Sequence, residues 1–157
     1  MRMINLKAAA RRDEQSEDSH SEYILENQVG HLLRRAYQRH SLIFMAAERP
    51  QRITAPQWAA LFKLQELGSA SQNHLGRLIA MDAATMQGLA QRLIERGLVI
   101  RGQDPHDKRR SVLRLTSEGM EVVEKMVPIA EEITRETLAP LNQTEQEELL
   151  KLLARLV

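Results

Sequence analysis

The sequence contains no cysteine, which excludes disulfides, thiolate zinc sites, covalent haem attachment and thiol-based redox sensing. Aromatic residues are almost as scarce: one Trp, two Tyr and two Phe make up 3% of 157 residues. Seven glycines and five prolines are too few for a long all-β chain with a turn about every ten residues, so the composition points to helices. No apolar run approaches the roughly 18 residues of a membrane-spanning helix, so no membrane role is expected. The first twenty residues carry no apolar stretch of the kind a secretory leader has. Together with the missing cysteines, that favours a cytoplasmic location. Also missing are a phosphate-cradling glycine motif, a nucleophile elbow and any His, Asp and Glu set at metal-ligand spacing. The five histidines are scattered at positions 20, 31, 40, 74 and 106. No enzyme activity, metal or cofactor is therefore expected.

What is present suffices for one ordinary hydrophobic core: 43% of residues are hydrophobic and 27% charged, in a chain of about one domain's length. The net charge of +1 hides an uneven distribution. Residues 1–73 carry +2, residues 74–116 carry +4, and residues 117–157 carry −5. A basic middle beside an acidic tail is the profile of an internal polyanion-binding module, although chance clustering of solvated charge gives the same profile.

Patterning divides the chain further. Residues 1–21 are polar, mixed in charge and without apolar periodicity, which predicts a flexible N-terminal arm. From Ser21, Leu25, Val29, Leu32, Leu33, Ala36, His40, Ile43 and Ala47 recur at three- and four-residue steps. That spacing predicts a long amphipathic helix ending near Pro50. Thr54 and Gln57 form a capping box for a second helix, which Gly68 ends. Ser71 and Asp82 are N-caps for two shorter helices, and Gly97 stops the second of them. Two β-prone runs, Leu98–Arg101 and Ser111–Leu115, bracket a basic tip and predict a hairpin. Thr116 opens a long helix that contains Pro128, where a kink is expected. Thr144 and Glu147 read as the capping box of a last helix.

Two short helices joined by a tight turn, then a hairpin with a basic tip, describe a winged helix-turn-helix over residues 54–116. The expected fold class is mainly α with a small β-hairpin wing, plus a helical dimerisation region at 22–50 and 117–157. The second short helix must bury one face and offer the other to a major groove. Thr85, Gln87, Gly88, Gln91 and Arg92 project opposite its apolar set. Glutamine pairs with adenine, and arginine with guanine or phosphate. Ser71 and Gln72, opening the preceding helix, are assigned to the same surface. In the hairpin tip, Lys108, Arg109 and Arg110 gather three cations where a loop can enter a minor groove. Asp107 is assigned to positioning and Arg109 to reading.

These segments resemble the winged-helix core of MarR-type (multiple antibiotic resistance regulator) transcription factors. The resemblance rests on Leu93-Ile94-Glu95-Arg96-Gly97-Leu98-Val99, on Asp104-Pro105-His106-Asp107-Lys108-Arg109, and on Leu115-Thr116-Ser117-Glu118-Gly119. With the helix order, it extends over about residues 22–157. It implies a homodimer in which the first, fifth and sixth helices interlock. It also implies a double-stranded, pseudo-palindromic operator read by two recognition helices roughly 34 Å apart. One departure stands out: many members carry a basic residue early in the recognition helix, where this chain has Ala83 and Ala84. Readout then leans on Gln87, Gln91 and Arg92, and affinity on the wing.

The amphipathic chain ends also predict a dimer, because one subunit could hardly cover both; a single intramolecular core is the alternative. His31, Tyr37, His40 and Trp58 bring scarce ring residues together near the expected junction of dimer helices and DNA module. They are candidates for a pocket that takes a small aromatic carboxylate or phenolic effector, although His40 and Trp58 are equally at home as core residues. The resemblance implies effectors of that class, and Gly30–His40 is similar to members that repress catabolism of nicotinic-acid-type compounds. The expected function is a sequence-specific DNA-binding repressor released by such a ligand. A DNA-binding activator, or a helical protein-interaction module without DNA binding, is the alternative.

Overall fold

Gln28 breaks the first expected helix. Its backbone is extended (φ −83°, ψ 131°), and its side-chain amide donates to the Ile24 carbonyl at 2.9 Å. A 3₁₀ turn, Leu25–Asn27, therefore stands apart from α1 (Val29–Ala46), which begins eight residues later than the periodicity predicts and stops four residues before Pro50. The computed structural model describes residues 23–104, 107 and 109–157. The N-terminal arm expected over 1–21 and the candidate Lys108 lie outside them. The chain divides into two units, residues 1–36 and 37–157. In the described part of the first, the 3₁₀ turn and the opening of α1, no residue is buried.

The second unit holds the later half of α1 and the remaining elements. Caps set their limits. In α2 (Ala55–Leu67), Thr54 and Gln57 form the predicted capping box, and Gly68 closes the helix at φ 71°. Ser71 Oγ accepts the His74 amide (3.3 Å) at the start of α3 (Gln72–Leu78). Asp82 caps α4 (Ala83–Glu95), and Gly97 follows it at φ 71°. Strands β1 (Val99–Gln103) and β2 (Ser111–Leu115) pair antiparallel, Val99 opposite Leu115 and Gln103 opposite Ser111. A third piece of sheet was not legible in the sequence: Ala70 exchanges backbone hydrogen bonds with Leu113 (3.2 and 2.8 Å).

Thr116 joins the hairpin to α5 (Ser117–Leu138). Its hydroxyl donates to the Gly97 carbonyl (2.7 Å) and accepts the Gly119 amide (3.0 Å), so one side chain caps α5 and ties it to the end of α4. Pro128 sits on an exposed position of α5, which continues through it as one helix. There water can serve the carbonyl left without a partner. The cap of α6 (Gln143–Ala154) corrects the expectation for Thr144 and Glu147. Asn142 Oδ1 accepts the Glu145 amide (3.0 Å) and Glu145 accepts the Asn142 amide (2.8 Å). Asparagine caps as well as threonine, and the earlier residue captures the first turn.

Two apolar clusters hold the second unit together. The larger gathers Leu61, Leu64, Leu75, Met86, Leu93, Leu98, Val99, Leu113 and Val123 from α2, α3, α4, the hairpin and α5. Each such side chain, fully buried, contributes about 1.5–3 kcal/mol. The smaller cluster centres on Phe44, Met126 and Ile133. Trp58 packs against both. In α1, Phe44 is the one buried residue, although it is not part of the stripe predicted from spacing.

Candidate nucleic-acid interface and ligand cleft

Helix α4 buries Met86, Leu89, Ala90 and Leu93 and exposes Thr85, Gln87, Gln91 and Arg92. The burial follows the 3.6-residue period, so the outward face is fixed by the inward one. Asp82 holds the start of this face. Its carboxylate accepts the Thr85 amide (2.9 Å) and the Thr85 hydroxyl (2.6 Å). The Thr85 hydroxyl foremost, then the Thr85 amide, keep the exposed Asp82 carboxyl below the usual aspartate range. At the other end, Gln91 Nε2 donates to Glu95 (2.9 Å). The Arg92 guanidinium lies over Gly88, within van der Waals reach of where a β-carbon would stand.

The wing is built around Asp107. One carboxylate oxygen accepts the Arg109 amide (3.0 Å) and the other faces Arg110 Nε (3.3 Å). The Arg110 amide donates to the Asp107 carbonyl and its carbonyl receives the Asp104 amide, both at 2.9 Å. Asp107 thus holds the Arg109 amide and pairs with Arg110, while the exposed Arg109 side chain engages no partner among the described residues. From the middle of β1, Arg101 donates to the Gln72 side chain (3.3 Å), so wing and α3 are linked. Ser71 and Gln72 are both half-buried. Arg101 and its partner Gln72 form a cross-element contact that spacing gives no way to foresee.

Trp58 lines a cleft of about 510 Å³ between α2, α5 and α6, with Phe62, Val127, Thr134, Arg135 and Leu150 among its walls. His40 lies on α1 beside Phe44, ring centroids 6.2 Å apart, and Trp58 packs against the cluster that Phe44 belongs to. Its Nδ1 is 3.1 Å from Thr137 Oγ1. That hydroxyl gives its proton to the Ile133 carbonyl (2.7 Å), so His40 Nδ1 carries the proton and donates. Arg39, on the preceding position, donates to the Glu136 and Thr137 carbonyls at the end of α5 (3.1 and 3.4 Å). Tyr37 is 66% exposed, and half-buried His31 belongs to the first unit.

The MarR family model matches residues 53–111, from just before α2 to the start of β2. The transcriptional repressor NicR of Pseudomonas putida is 37% identical over 135 residues, covering 86% of this chain and 85% of its own. The chain belongs to the MarR family. Among solved structures, a probable transcriptional regulator from Pseudomonas aeruginosa is 46% identical with a TM-score of 0.81, covering 85% of this chain and all of that one. Bordetella bronchiseptica BpsR, whose DNA binding is regulated by 6-hydroxynicotinic acid, is 41% identical with a TM-score of 0.76, covering 82% of this chain and 98% of its own. The helices and two-stranded hairpin of the described residues thus have the fold of the MarR winged-helix regulators. Among the described residues, no helix is long and apolar enough to cross a membrane, and no three His, Asp or Glu residues cluster as a metal site.

Proposed function

We propose that this MarR-family chain is a homodimeric repressor that binds a pseudo-palindromic duplex operator and releases it on binding a small aromatic acid. One observation carries the reading. The exposed face of α4 offers Thr85, Gln87, Gln91 and Arg92, and the hairpin carries an exposed Arg109 whose amide is held by Asp107. In this reading Gln87 and Gln91 contact base edges and Arg92 reaches guanine or phosphate. Thr85 and Gly88 allow close approach, and Ser71 and Gln72 support the backbone contact. Arg109, with Lys108 and Arg110, enters the minor groove, while Asp107 positions the tip.

Dimerisation is supported by apolar surface that one chain leaves in water: Leu42 and Met45 on α1 are 57% and 62% exposed, and α6 has no buried residue. Surface of that kind marks a partner. The dimerising parts are 22–50 and 117–157, and 54–116 is the DNA-binding module. The relatives named above include a repressor and a protein regulated by a hydroxynicotinic acid, which supports both the sign of regulation and the effector class. For that effector we assign the cleft at Trp58, where Trp58 and Phe62 give aromatic walls and Arg135, which pairs with Glu132 in the unbound chain beside the cleft residue Glu131, exchanges that partner for the ligand carboxylate. Of the other candidates, His40 acts at one remove, through Phe44. The chain is no enzyme in this reading and acts in the cytoplasm.

Selection of bound fragments from the parent genome, followed by mobility shifts, tests the proposal. The expected result is a two-fold-related site whose complex dissociates with 6-hydroxynicotinic acid or a related aromatic acid. A coupling of about 1–3 kcal/mol, or 5- to 150-fold in affinity, suffices. Failure of every acid in a broad panel would remove the effector; indifference to duplex DNA even in dilute salt would remove the whole reading.

A further inference from the structure

The connector between α1 and α2 holds two consecutive non-glycine residues in the left-handed region, Gln51 (φ 50°) and Arg52 (φ 52°). Such backbone persists only where its surroundings over-determine it, and it concentrates at clamps and switches. The clamp here is Arg96, the residue that ends α4. Its guanidinium donates to the Gln51 carbonyl (2.5 Å) and to Gln57 Oε1 (3.1 Å), with a longer approach to Gln51 Oε1 (3.4 Å). Gln57 is buried, and the same oxygen accepts the Thr54 amide (3.1 Å). Gln51 Nε2 in turn donates to Glu118 (3.0 Å) in the first turn of α5. One fork of donors therefore joins the end of α4, the strained connector and the cap of α2. A lysine has the charge but not the planar fork.

We propose that Arg96 is a positioning residue for operator recognition: it pins the end of α4 to the α1–α2 connector and so sets the angle at which the α4 face meets the duplex. This rests on α4 being the recognition helix. Both terminal nitrogens of the Arg96 guanidinium are already used inside the protein. Base-edge hydrogen bonds depend steeply on helix orientation, whereas attraction to phosphates is long-ranged and tolerant of angle. A loosened α4 therefore loses specific binding before it loses non-specific binding. A defect that merely lowers the folded fraction weakens both alike.

The test compares full-length wild type, Arg96→Met, Arg96→Lys and Gln51→Gly. Each is titrated, at one salt concentration, against the selected operator and a scrambled duplex of equal length, with a thermal melt alongside. Arg96→Met is expected to lose about tenfold in operator affinity, the worth of a charged hydrogen bond, with little change on the scrambled duplex. Arg96→Lys restores part of the ratio. Gln51→Gly keeps the carbonyl and keeps the ratio. Equal losses on both duplexes, or none, for Arg96→Met would overturn the proposal. So would a Gln51→Gly chain that loses the ratio as fully as Arg96→Met. If Arg96→Met does not fold, an undiminished ratio in Arg96→Lys overturns it. A wild-type chain that cannot tell operator from scrambled duplex overturns the functional reading itself, and this proposal with it.

Discussion

Gly119 stands so close to the Leu98 carbonyl oxygen that a β-carbon at this position would overlap it. The obstacle is backbone, held in place because the same carbonyl accepts the Thr116 amide (3.1 Å). Gly119→Ala is therefore expected to destabilise the chain by about 1–3 kcal/mol or more, the cost of overpacking a site that cannot give way. Urea unfolding of the two proteins measures this. An alanine chain as stable as wild type would show that α5 can shift away from the hairpin.

Removing a negative charge from a surface meant for DNA should tighten binding if charge alone mattered. Asp107→Ala is expected to weaken it instead, because the Arg109 amide and the Arg110 side chain lose their common partner. Asp107→Asn keeps an acceptor for the amide and should fall between. Operator titrations at fixed salt decide, and tighter binding by Asp107→Ala would remove the positioning role.

Arg109 and Gln91 are expected to fail in different ways. Arg109→Ala weakens binding to most sequences and lowers the salt slope by about one. Gln91→Ala relaxes base preference at one position per half-site, by about 1–3 kcal/mol. In the unbound chain Gln91 Nε2 is held by Glu95, so Glu95→Ala should change the same base position by releasing it. Binding-site selection on each variant separates these outcomes.

Because Trp58 is the only tryptophan and lines the cleft, intrinsic fluorescence reports on the site without labelling. An aromatic acid bound there is expected to change the emission saturably, at concentrations matching operator release. Trp58→Phe abolishes the signal. Release of DNA with unaltered Trp58 emission would move the effector elsewhere.

Asp82 gives a pH dependence whose sign follows from its lowered pKa. The folded state binds this proton less readily than the unfolded state, so the charged carboxylate stabilises the chain above the ordinary aspartate pKa. That contribution fades as pH falls through the lower, folded value. The stability difference between wild type and Asp82→Asn should thus be constant near neutrality and close in acid. A difference independent of pH down to acid unfolding would show that the hydrogen bonds, not the charge, make the cap.

The sequence determined what neighbours along the chain decide. Thr54 with Gln57, Ser71, Asp82, Gly97 and Thr116 each act within a turn of their own position, so local chemistry sufficed to place α2, α3, α4, the hairpin and the start of α5. The alternation of buried and exposed residues on α4 was legible for the same reason. Tertiary structure decided what depends on distance in space. Spacing gives no hint that Ala70 would pair with Leu113, that Arg101 would reach Gln72, or that Arg96 would hold Gln51 across 45 positions. Nor could it tell which ring residues share a cleft, since His40 turned to Thr137 while Phe62 and Leu150 joined Trp58. Helix periodicity fixes which face a residue occupies, but the partner that covers the face is set by how the helices pack.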